Sequence, residues 1–205
     1  MKTTILQCLI IVLISIVYGI GAAHAEIKVG IAGPLTGPTQ FIGEQNEVGA
    51  FKAIEHLNNS GGLLGEEIVP ISVDDACDPL QAKAVARQLV SEGVVFVAGH
   101  ICSACTLAVS KIYEEADIIM ISAASTNPKV TEEGGDNVFR VIGRDDQQGV
   151  VAGDYLAKNF GKSRIAIIHD GQAYGKGLAE ITKQQLNKNS VKEVMFDGYT
   201  PDQTD

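Results

Sequence analysis

Residues 94–106 read Val-Val-Phe-Val-Ala-Gly-His-Ile-Cys-Ser-Ala-Cys-Thr. Val94 to Ala98 is a short apolar run rich in β-branched residues, the pattern of a strand buried on both faces of a parallel sheet. Gly99 ends it. Ser103 and Thr106 sit where a helix begins, and Val109, Ile112, Tyr113 and Ala116 follow at helical spacing. A strand end, a turn of small residues and a helix N-terminus with a hydroxyl form a natural carboxylate site. The first-turn amides have no partners inside the helix, and its dipole favours negative charge. Ser103 reads either as an N-cap alone or as a cap that also meets a ligand.

The same alternation extends in both directions. Ile27 to Ala32 reads as a strand, Gly33 to Pro38 as a turn-rich loop, and Asn46 to Asn58 as a helix with Val48, Phe51, Ile54 and Leu57 on its inner side. Glu67 to Val73 is a second strand. Asp78 and Pro79 open a helix as N-cap and first residue, and Ala82, Val85, Ala86, Leu89 and Val90 form its buried stripe. Gly33, Gly37 and Gly43 do not have dinucleotide-fingerprint spacing. The cluster of Asp74, Asp75 and Asp78 does not match a calcium loop and reads as capping and solvation. Ile118 to Ile121 is a further strand, ending in Ser122-Ala-Ala-Ser-Thr-Asn-Pro128. In an open α/β sheet, ligands bind at the carboxyl ends of strands near the switch point of strand order. Two consecutive strand ends rich in Ser and Thr and free of charge favour holding a small polar ligand over chemistry on it. After the strand Val138 to Ile142, Gly143 to Asp146 reads as a crossing into a second βα series. That series comprises a helix over 147–160, a strand over 164–169, a helix opened by Asp170 to Gly177, and a strand over 194–199.

The 205 residues carry a formal charge of -9, which argues against a phosphate-tracking nucleic-acid surface. Residues 1–25 read as a cleavable signal peptide: Lys2, an apolar Leu9–Val17 core, and Ala23-His-Ala25 as the cleavage site. Export places Cys77, Cys102 and Cys105 in an oxidising compartment, where a pair should be joined. Two pairings stand open: Cys102 with Cys105 as a redox CxxC, or Cys77 with Cys102 tying two strand-end loops together. His100, Cys102 and Cys105 lack an evident fourth ligand, so no metal is assigned.

Several segments together carry a family resemblance: Ile27-Lys-Val-Gly-Ile-Ala-Gly-Pro-Leu-Thr-Gly-Pro38, Asp74-Asp-Ala-Cys-Asp-Pro79, Gly99-His-Ile-Cys-Ser103, Ala123-Ala-Ser-Thr126 and His169-Asp-Gly-Gln-Ala-Tyr-Gly-Lys-Gly-Leu-Ala179. From residue 26 to residue 205 the chain resembles the periplasmic leucine/isoleucine/valine-binding proteins of ABC importers. The resemblance implies a two-lobe type I periplasmic binding protein, α/β with parallel sheets flanked by helices. Residues 26–143 would be an N-terminal ligand-binding lobe without its return segment, and residues 144–205 a partial, incomplete second lobe. It implies that Cys77 pairs with Cys102. Ser103 and Thr126 would give hydroxyls to the ligand carboxylate, and the Ala124 carbonyl would accept from its ammonium. Ser125 of the same loop is expected to be ligand-binding as well, and Tyr174 would reach across when the cleft closes. Ile42 stands where the family has an aromatic residue and would line an apolar pocket. Cys105 replaces a small polar residue.

The expected function is therefore capture of branched-chain amino acids in the periplasm by a monomer that docks on ABC permease subunits, with no cofactor and no catalysis. The family's acidic partner for the ammonium falls beyond Asp205, so a truncated form with weakened binding is expected. Two other readings are a sensor of amides or amino acids with the same fold, and a periplasmic thiol–disulfide protein using Cys102 and Cys105.

Overall fold

The computed structural model describes residues 26–200; the expected signal peptide and its cleavage site lie outside them. The chain alternates strand and helix: β1 (Glu26–Gly33), α1 (Gln40–Asn59), β2 (Glu67–Asp74), α2 (Pro79–Glu92), β3 (Phe96–Ala98), α3 (Ser103–Glu115), β4 (Ile119–Ser122), α4 (Lys129–Glu132), β5 (Val138–Arg140), α5 (Asp145–Phe160), β6 (Ala166–His169), α6 (Ala173–Lys188) and β7 (Met195–Gly198). Strands β1 to β5 form one parallel sheet in the order β2-β1-β3-β4-β5, and β6 pairs in parallel with β7. Strand order reverses between β1 and β3, which is the switch point of the sheet. This is the α/β architecture expected from the βα alternation.

Successive strand residues point to opposite faces. On β1, Ala32 packs with Ala86 and Leu89 of α2 and Val109 and Tyr113 of α3. Its neighbour Ile31 packs with Ile54 of α1 and Ile68 of β2. Helices therefore cover both faces, which is why Val97 and Met120 in the middle strands are wholly buried. Helix α2 starts as its sequence predicts: the Asp78 carboxylate accepts from the amides of Leu80 and Gln81, both at 2.8 Å, and Pro79 is the first helical residue.

Two expectations need correction. Helix α1 begins six residues earlier than periodicity suggested, and Val48, Phe51 and Leu57 are exposed; of the four predicted inner residues only Ile54 is buried. The inner face is fastened largely by polar side chains. Asn58 exchanges two hydrogen bonds with the backbone of Ile68, Asn46 donates to the Ala98 carbonyl, and Glu47 accepts from Ser72. Asp75 is also not solvated: it is fully buried beneath the sheet's carboxyl edge.

The β6–β7 pair is covered by α5 and α6, with Ile165, Ile167, Ala179 and Leu186 at its core. Among the described residues no helix is long and apolar enough to cross a membrane.

Candidate functional site

The carboxyl ends of β1, β3 and β4 converge at the switch point, and the residues that follow each end build the candidate site. Gly99 allows the close approach of β3 to β1, since a Cβ at that position would stand 2.0 Å from the Ala32 carbonyl oxygen. Beyond it the chain turns through His100 and Ile101 into α3. Cys102 occupies the N-cap position with no side-chain bond, and Ser103 is the first helical residue. Ser103 therefore does not cap its helix. Its buried hydroxyl faces the loop after β4, where the Asn127 amide approaches it at 3.4 Å. The first amides of α3 keep their unpaired donors in the same place.

The loop from Ser122 to Pro128 is held from two sides. From the sheet side, the His100 carbonyl accepts from Ser122 Oγ (2.5 Å), Ser125 Oγ (3.2 Å) and Thr106 Oγ1 (3.2 Å). From β5, the Arg140 guanidinium donates to the carbonyls of Ser125, Asn127 and Pro128. The Ser125 hydroxyl is engaged inward, with Ile101 O and Thr106 Oγ1 as further partners. Thr126 Oγ1, in contrast, is buried without a hydrogen-bond partner.

Beside Thr126 lies a residue that sequence reasoning passed over. Asp145, first residue of α5, donates its backbone N–H to the Thr126 carbonyl at 3.0 Å. Its side chain is fully buried, and neither carboxylate oxygen is hydrogen-bonded. Burial pushes its pKa up, and the nearby Thr126 hydroxyl and Arg140 offset this only in part. Buried polar atoms in native proteins nearly always have partners. A hydroxyl and a carboxylate left over side by side, next to a free helix N-terminus, are suited to a small zwitterion. In the sequence Asp145 falls in the Gly143–Asp146 stretch that reads as a crossing, and nothing in that signal marks burial or a helix start.

Behind the site, His100 is buried between two partners: Nδ1 lies 2.6 Å from Asp75 Oδ2 and Nε2 lies 3.1 Å from the Tyr113 hydroxyl. Burial and the nearby Asp75 push the Tyr113 phenol up, so it stays a donor. Asp75 also accepts from the Cys77 amide at 2.9 Å. The Cys77 and Cys102 sulfurs are at bonding distance with Cα atoms 5.6 Å apart, and Cys105 is free and buried. Burial, then Asp75 and Asp78, push the Cys105 thiol far up, the opposite of a reactive thiolate.

The other predicted residues fall around this centre. Ala124 is half-buried in the same loop. Ile42 is half-buried in the first turn of α1, beyond the end of β1. Tyr174 is in the first turn of α6, the residue 45% exposed, next to Ala173, whose carbonyl accepts from Asn127. Ser103, Ala124, Ser125 and Thr126 thus come together at two strand ends. Tyr174 stands on a helix that touches their loop.

The sequence profile described as periplasmic binding protein matches residues 26–205. An amino acid binding protein of Pseudomonas aeruginosa is 49% identical over 184 residues, covering 89% of this chain and 49% of that protein. A Leu/Ile/Val-binding protein homolog of Brucella abortus is 44% identical, covering 90% of this chain and 50% of that protein. A leucine-binding protein from Thermotoga maritima superposes with a TM-score of 0.76 at 26% identity, covering 87% of this chain and 50% of that structure. The chain spans about half the length of the curated relatives it matches. With a profile match across the whole described sheet-and-helix series, the chain belongs to the periplasmic binding protein family.

Proposed function

We propose that the chain captures branched-chain amino acids outside the cytoplasmic membrane for delivery to the permease of an ABC importer. Residues 26–143 and 144–205 are the two lobes between which the ligand sits. The ligand carboxylate meets the Ser103 hydroxyl and the first amides of α3, where the helix dipole favours an anion. The ammonium meets the Ala124 carbonyl, Thr126 Oγ1 and the Asp145 carboxylate. Ile42 and Ile101 supply apolar surface for the side chain, Tyr174 closes from the second lobe, and Ser125 shapes the loop from within. Cys77 and Cys102 form a disulfide that fixes the loop entering α3, as expected for an exported protein.

The observation that carries this reading is the unpartnered pair of Thr126 and Asp145 beside the N-terminus of α3. In this reading Asp145, buried and without a hydrogen-bond partner, is a candidate acidic group for the ammonium within the described residues. An apolar pocket discriminates between aliphatic side chains by only about 1–3 kcal/mol per methylene. Leucine, isoleucine and valine should therefore compete with one another. A thermal-shift panel of amino acids tests the class. Stabilisation by all three, and by neither aspartate nor lysine, is expected; stabilisation by an amide or an acidic amino acid alone would replace the ligand class.

A further inference from the structure

Asn127 follows the ligand loop and makes a contact that neither the fold nor the site chemistry requires. Its side-chain Nδ2 donates to the carbonyl of Ala173, the first residue of α6, at 2.7 Å. Among the described residues this is the only hydrogen bond joining α6 or the β6–β7 pair to residues 26–144. The rest of Asn127 is fixed on the first sheet. Its Oδ1 accepts from the Lys129 amide at 3.0 Å, its carbonyl accepts from Arg140 at 2.8 Å, and its backbone N–H points at Ser103 Oγ. The receiving helix is shaped for it: one turn after Ala173 comes Gly177, where a Cβ would stand 2.7 Å from Asn127 Nδ2. Tyr174 lies in that same helical turn.

We infer that Asn127 is a positioning residue for ligand capture: its amide latches the loop carrying Thr126 to the first turn of α6, and Gly177 is the socket that admits it. The inference rests on the reading that Thr126 and Tyr174 contact one ligand from two lobes. A ligand that orders the Thr126 loop would then order Tyr174 through the latch. A buried side chain anchored at its other polar atoms transmits position better than a mobile one, because its geometry is already fixed.

The test uses the purified full chain and two readouts. Hydrogen exchange of the amides of residues 173–178 without ligand reports the latch itself; leucine titration reports its consequence. Asn127→Asp keeps the acceptor for Lys129 but loses the donor to Ala173, and Gly177→Ala places a methyl group where the amide lies. Each is expected to raise exchange in the first turn of α6 at least fivefold and to weaken leucine binding five- to tenfold. In the double variant Asn127→Ala/Gly177→Ala the methyl meets no amide, so its effect should match that of Asn127→Ala alone. Unchanged exchange in Asn127→Asp, or strictly additive effects in the double variant, would overturn the latch. If leucine binds no form of the chain, the proposed function fails, while the exchange data still decide whether the latch exists.

Discussion

Asp145 is the residue whose environment has the clearest thermodynamic consequence. Its carboxylate is buried with both oxygens unpaired, and burial raises its pKa above the ordinary carboxyl range. The ionised form is thus disfavoured in the folded chain. That penalty is absent below the pKa of the unfolded chain's carboxyl, grows as pH rises towards the raised folded value, and is complete above it. Asp145→Asn should therefore raise thermal stability at pH 7, by about 1–3 kcal/mol for an unsatisfied buried group, and the gain should vanish in melts at pH 3. The same substitution should weaken leucine binding, because it removes the negative charge proposed to face the ammonium. Stabilisation together with loss of affinity is the signature of a group kept for a ligand. His100 makes the complementary point. Its spacing from Cys102 and Cys105 invited a metal reading, yet its ring is held by Asp75 and Tyr113, 25 and 13 residues away in sequence. Such pairings are made by strands meeting in space, and no local pattern displays them.

At the scale of elements, legibility followed the source of the stabilising contacts. The core of β3, the start of α2 and the stripe of Ala82, Ala86 and Leu89 are readable because apolar periodicity and side-chain capping are local properties, although β3 spans only Phe96–Ala98 of the expected 94–98 run and Val95 is exposed. Asp78→Ala should cost about 1 kcal/mol by removing the two amide bonds of that cap, measurable by denaturant unfolding. Helix α1 departs from its apolar periodicity because its inward face uses Asn46, Glu47 and Asn58, whose bonds to neighbouring strands leave no apolar pattern in the sequence. Ser103 was expected to cap α3, but the helix begins one residue before its side chain could do so. The hydroxyl is thereby left facing the loop after β4.

For the whole molecule, the parallel order β2-β1-β3-β4-β5 brings three strand ends to one edge, and the crossing at residues 141–144 carries the chain into α5 and the β6–β7 pair. The alternation of strands and helices announced that architecture. The hydrogen bond from Asn127 to the start of α6, seated against Gly177, joins residues far apart in sequence, and no local pattern displays it. The proposed Cys77–Cys102 bridge closes a loop with a sequence separation of 25 between the ends of β2 and β3. In the chain-entropy view its removal in Cys77→Ser/Cys102→Ser should lower unfolding free energy by about 3 kcal/mol. An unchanged unfolding curve would show that the two loops are held by packing alone. The proposed capture of an aliphatic amino acid at the α3 N-terminus can be measured by isothermal titration of leucine into the folded chain and into its Ser103→Ala and Thr126→Val variants. A saturable isotherm is expected, weakened about tenfold or more by each substitution, as for hydrogen bonds to charged groups. No heat of binding from a folded chain, or one affinity shared by all three proteins, would contradict it.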